Sequence, residues 1–154
     1  MDSMTLLWEF APAVKTRLLY LAIIAQMGVA FYCYYQMSRA RMAAGRAKRI
    51  TADDYKTNRN EPEDLRVFTR LVANQFELPV LYYVLVLAIL LSEAGSWITV
   101  VLAWVFVLLR LAHAREMITQ NRVMLRRRIF FRATQVLLLM MVEFVLALLF
   151  LVKV

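Results

Sequence analysis

Glycine and proline are scarce in this chain, three of each in 154 residues, and there is one cysteine and one histidine. So few turn formers exclude collagen-like and low-complexity architectures. The lone thiol, Cys33, closes no internal disulfide, which excludes a disulfide-stapled framework and leaves a structural thiol in an apolar segment as the expectation. One imidazole and one thiol make no credible ligand set, so no metal site is expected. Charge is sparse too, at 19% of residues, whereas 62% are hydrophobic and the mean hydropathy is +0.60. Soluble domains average about 45–50% apolar residues. A disordered chain and an ordinary soluble domain are therefore both excluded. What remains is an integral membrane protein, read as a single membrane domain over residues 1–154.

A hydrocarbon core of about 30 Å takes roughly 20 helical residues to cross, and open strands would leave backbone groups unpaired within it. Four segments meet that length, so the predicted fold is all-α, a four-helix transmembrane bundle. The helices are expected at about 18–37, 67–91, 97–115 and 129–152. Only Ser92–Ser96 (SEAGS) separates the second from the third, which forces an antiparallel hairpin. The connections 38–66 and 113–128 hold thirteen of the nineteen Lys and Arg residues, eight in the first and five in the second. With four crossings they share one face. The positive-inside rule makes that face cytoplasmic and puts both termini opposite. The first fourteen residues lack the basic start and cleavage site of a signal peptide. Their Leu6, Leu7, Trp8 and Phe10 are expected in the membrane interface.

The second and third segments are short when only their apolar cores, Leu78–Leu91 and Trp97–Leu109, are counted. Completing each crossing draws in polar side chains. On the second helix these are Arg70, Asn74 and Glu77, which at 100° per residue lie within about 60° of one another. The third adds Arg110 and His113, one turn apart, with Arg115 and Glu116 beyond. The fourth opens with Arg126, Arg127, Arg128 and Arg132, and carries Gln135 and Glu143 on the side of Arg128. Three helices thus present charge at one end of the membrane. Ionisable groups at such depth turn to a bundle interior or a polar cavity. Pro79, two residues after Glu77, is expected to bend the second helix there.

Each residue alone has a plainer reading. Arg126–Arg128 mark topology, Arg70 with Glu77 makes a packing ion pair, Asn74 is interhelical glue, and His113 is a satisfied interfacial histidine. Glu143, away from the others, is a paired or neutral carboxyl, or a proton carrier. The joint convergence favours a binding site. Several arginines beside one carboxylate and one amide complement an anionic ligand that also bears an ammonium group. Glutathione has that pattern, and a nearby guanidinium would favour its thiolate.

The run Arg70-x-x-x-Asn74-x-x-Glu77 followed by Pro79 (RLVANQFELP) resembles the signature of the MAPEG family, the membrane-associated proteins of eicosanoid and glutathione metabolism. Arg110-x-x-His113 and Asn121-Arg122-Val123 with Arg126 and Arg128 (NRVMLRRRIF) are similar to its bacterial members. The resemblance covers essentially the whole chain. It implies a homotrimer binding glutathione between subunits as co-substrate. Asn74 and Glu77 would contact glutathione, Arg70 and His113 would support them, and Arg126 would stabilise the thiolate as the catalytic residue. Arg110, Arg122 and Arg128 would serve as further carboxylate contacts.

The chain departs from catalytic relatives at Arg127, Phe130 and Met117, where hydroxyl residues occur, and at Val72 and Ala73, where His and Arg are common. The expected function is thus a glutathione-dependent transferase or peroxidase acting on lipophilic electrophiles. The alternatives are a noncatalytic lipid- or partner-binding relative, and a small proton-coupled exporter using Glu77 or Glu143. Lipids and lipophilic small molecules are the expected partners, and no nucleic acid is.

Overall fold

The structure is a computed structural model that describes residues 3–51, 53–54 and 61–150, with side chains from Pro12 onward. The expectation for Leu6, Leu7, Trp8 and Phe10 lies outside the described side chains. Among the described residues five helices are delimited, in order: α1 (Ser3–Arg46), α2 (Glu63–Ala73), α3 (Leu78–Leu91), α4 (Trp97–Ile118) and α5 (Val123–Phe150). Among the described residues there is no strand. Four stretches of the described residues are long and apolar enough to cross a membrane: Pro12–Arg46, Glu63–Leu91, Trp97–Ile118 and Val123–Phe150.

The helices outrun their expected ends. Ser38–Arg46, expected as loop, continues α1, and the α4–α5 connection shrinks from 113–128 to the four residues 119–122. An apolar-length criterion stops at the first charge. The backbone does not, because Ala, Arg and Met are good helix formers whether or not hydrocarbon surrounds them.

The second crossing differs more. It is two helices with a break at residues 74–77, rather than one bent helix over 67–91. Pro79 sits in the first turn of α3, where its missing N–H costs nothing. Continued helix would have needed that N–H for the carbonyl of Gln75. Glycine scarcity shows at the other stops. Lys48 and Glu93, with φ of 54° each, take the left-handed position usually given to glycine after α1 and α3. Arg49 N then donates to Ala44 O at 3.0 Å, and Ala94 N to Ile89 O at 3.2 Å.

Apolar lipid offers little incentive for helices to pair, so close packing has to hold them. Ala22 of α1, Ala103 and Ala114 of α4 and Ala133 of α5 are fully buried, and α4 packs against both α1 and α5. The Tyr82 and Phe106 rings stack at 4.4 Å between α3 and α4. Large apolar side chains such as Phe31, Leu81, Leu108 and Leu139 face outward. In water that would be an inverted surface; facing lipid, it is what the solvent favours.

At the end with the Ser92–Ser96 turn, Ser96 caps α4 in a reciprocal box. Thr99 N donates to Ser96 Oγ at 3.1 Å, and Ser96 N donates to Thr99 Oγ1 at 3.0 Å. The Glu143 carboxylate of α5 accepts from both hydroxyls, with Thr99 Oγ1 at 2.8 Å. This carboxyl is paired, as one reading of the sequence expected.

Candidate functional site

The opposite end holds a cavity of about 430 Å³ between the α2–α3 break and the α4–α5 hairpin. Arg70, Asn74, Glu77, His113 and Arg126 all line it, with Ala73, Met117, Val123, Arg127 and Phe130. Five of the eight residues singled out from the sequence therefore meet in one chamber.

The break positions the first three. Asn74 ends α2 and Glu77 starts α3, so the stripe expected on a continuous helix is instead spread across the gap. The break also frees the carbonyl of Asn74, which accepts from Arg110 Nη2 at 2.6 Å. Irregular backbone at membrane depth needs such a substitute partner, and a fully buried guanidinium supplies it. The Asn74 amide reaches the Met117 sulfur at 3.6 Å, a weak contact that leaves its capacity for stronger acceptors largely unused.

The hairpin positions the rest. Glu116 accepts from Arg122 N at 3.0 Å and from Arg122 Nε at 2.9 Å, clamping residues 119–122 into a tight reversal. This hydrogen-bonded carboxylate holds the Arg122 guanidinium above its ordinary pKa. Asn121, at φ 48°, accepts from Arg126 Nη1 at 2.7 Å and so aims Arg126 at the chamber. His113 Nδ1 lies 3.3 Å from the carbonyl of Arg126. A carbonyl only accepts, so Nδ1 carries a proton in this contact. His113 Nε2, with Arg110 Nε and Nη1, is buried without a hydrogen-bond partner among the described residues.

Three expected site residues stand elsewhere. Arg110 lies behind the wall, its guanidinium carbon 5.8 Å from the Phe130 ring centre. Arg122 spends its charge on Glu116 and does not line the chamber. Arg128 lines a separate outer pocket on α5. Neither Glu116 nor Asn121 was singled out as a site residue. Their signal is weak in sequence, because a pairing across a four-residue hairpin shows only once the hairpin is recognised as that short.

The charge balance of the chamber is plain. Arg70, Arg126 and Arg127 supply three cations against the single carboxylate of Glu77, with the Asn74 amide between. A chamber of this size suits a small molecule. Its walls favour two negative groups and one positive group on the same ligand.

Compared with known protein families, residues 19–146 match the MAPEG family. No curated protein and no solved structure gives a match.

Proposed function

The chain belongs to the MAPEG family, and on that premise we propose that it binds glutathione in the α2–α5 chamber and either joins the glutathione thiolate to a lipophilic electrophile, whose leaving group departs as an anion, or reduces a lipid hydroperoxide to its alcohol and water while two glutathiones are oxidised to the disulfide. The observation that carries this reading is the chamber's lining, where guanidinium groups flank one carboxylate and one amide. Glutathione carries two carboxylates, one ammonium and one thiol, so the donor set fits it. Glu77 takes the ammonium, Arg70 and Arg127 the carboxylates, and Asn74 an amide of the peptide backbone. Bound glutathione supplies a sulfur nucleophile. Arg126, held from behind by Asn121, favours the ionised sulfur through its positive charge.

The acceptor enters from the bilayer. An apolar groove of about 550 Å³ runs between α3 and α5 from Leu78 and Thr134 down to Ala88 and Phe144. Leu78 follows Glu77 in the chain, and Thr134 lies one turn beyond Phe130, so groove and chamber share a border. Three copies form the working unit, with the basic ends of the helices in the cytoplasm.

A second reading has its own observation. Met117 and Phe130 line the chamber where catalytic relatives place hydroxyls, so few donors stand near the thiol. A noncatalytic protein that holds lipid or a partner is consistent with that wall. The two readings separate on titrating the detergent-solubilised protein with glutathione while following heat and ultraviolet thiolate absorbance. Binding with a thiolate signal, followed by conjugation of a chloronitrobenzene acceptor, is the expected result. Absence of heat and of thiolate signal rejects glutathione. Binding without turnover above background leaves the noncatalytic reading.

A further inference from the structure

The start of α5 has two polar faces, and the chamber uses only one. Val123, Arg126 and Phe130 border the chamber and Thr134 the adjoining groove. At 100° per residue, Met124, Arg128, Phe131, Arg132 and Gln135 occupy a separate arc roughly 130° round the helix. With Arg127 at its edge, this arc lines a distinct pocket of about 400 Å³. Met124, Phe131 and all three arginines are exposed. Among the described residues, no carboxylate pairs with Arg127, Arg128 or Arg132.

We propose that this outer pocket is a binding site for the headgroup of an anionic phospholipid. The phosphodiester would lie between the guanidinium groups of Arg128 and Arg132, one helical turn apart. Arginine matches phosphate oxygens in bidentate fashion and stays charged at any accessible pH. Helical side chains lean toward the N-terminus, so Arg132 reaches up toward the membrane surface along its own stem. Gln135 offers an amide at the depth of ester carbonyls. Below it, the same arc continues through Leu139, Val142 and Leu146, all exposed, which is a ridge for acyl chains. Charge, then amide, then hydrocarbon is the order of a phospholipid read from its headgroup down.

Charge argues against a second copy of this chain as the occupant. Residues 38–66 and 113–128 hold thirteen cations against six carboxylates. Glu61, Asp64 and Glu116 are already engaged by Arg41, Arg49 and Arg122. Another copy would bring mainly more positive charge to the pocket.

The test reconstitutes the full chain in phosphatidylcholine vesicles containing spin-labelled phosphatidylglycerol or spin-labelled phosphatidylcholine, and reads the motionally restricted fraction of each label. The expected result is a preference for phosphatidylglycerol of roughly fivefold or more, since a basic residue near the surface is worth about 1 kcal/mol. The variant R128Q/R132Q should bring it close to parity. R46Q/K48Q, which removes two cations outside the pocket, should keep the preference; an equal loss there means diffuse surface charge and overturns the site. Should the double variant misfold by circular dichroism, R128Q and R132Q singly should each lose at least about half the preference, and full retention in both overturns it. Displacement of the labelled lipid by inorganic phosphate at comparable concentration would overturn the lipid as occupant. So would a change of oligomeric state in R128Q/R132Q with lipid preference intact.

Discussion

The two ends of the bundle handle buried polar groups in opposite ways. At the Ser92–Ser96 end, Glu143 lies between the hydroxyls of Ser96 and Thr99, which also cap α4, and each polar group serves its neighbour. At the basic end the second crossing breaks. Arg110 satisfies one freed carbonyl, and its Nε and Nη1 with His113 Nε2 find no partner among the described residues, beside a chamber rich in guanidinium groups. Both ends contain a carboxylate on a membrane helix. Glu143 completes a structural joint, whereas the Glu77 carboxylate, at the start of α3, lines the open chamber with no hydrogen-bond donor holding it among the described residues. Polar residues at membrane depth therefore read differently according to whether the chain supplies their partners.

That contrast breaks if the basic end proves to be another structural joint. The largest expected effect is at Arg126. Arg126→Ala should cost about 10²- to 10³-fold in conjugation rate, as for loss of a single electrostatic stabiliser, and should abolish the thiolate absorbance. Thermal unfolding should move little, because only the contact to Asn121 is lost. A large fall in stability with thiolate signal retained would put Arg126 on the structural side.

Arg110→Leu sharpens the comparison from behind the wall. It leaves the Asn74 carbonyl without its donor, at about 1–3 kcal/mol. Melting followed by circular dichroism should show that loss, and glutathione affinity should weaken as the break relaxes. Unchanged melting would mean that the α2–α3 break does not depend on this guanidinium.

Glu143→Gln probes the far end. It should cost about 1 kcal/mol in stability through weaker bonds to Ser96 and Thr99, with glutathione titration unchanged. Altered glutathione binding would couple the two ends and end the contrast. Proton-driven efflux from vesicles that is lost in this variant or in Glu77→Gln would instead support an exporter. The smallest effect is expected at Glu93→Gly. Relief of the left-handed backbone should raise stability by up to about 1 kcal/mol, offset in part by the freer unfolded chain.

Much of this was legible in the sequence. Hydrophobic blocks of crossing length and the clustering of cations needed no coordinates, because solubility in hydrocarbon depends on local composition. The grouping of Arg70, Asn74 and Glu77 was legible too, though for a reason that had to be revised. Helical periodicity placed them on one stripe, and the structure brings them together around a break. Arg110, Arg122 and Arg128 were the illegible ones. Each sits in the expected stretch of chain, yet one supports the wall, one clamps a hairpin and one faces outward.

Composition alone determined that this chain lives in a membrane, crosses it as helices and gathers its charge at one end. Only tertiary structure decided which charged groups face one another. Successive helical residues turn by 100°, so whether Arg126 or Arg128 points inward depends on how α5 is rotated against α4. The Glu116–Arg122 clamp and the Asn121 turn set that rotation. A helix has no inner face until a neighbour defines one.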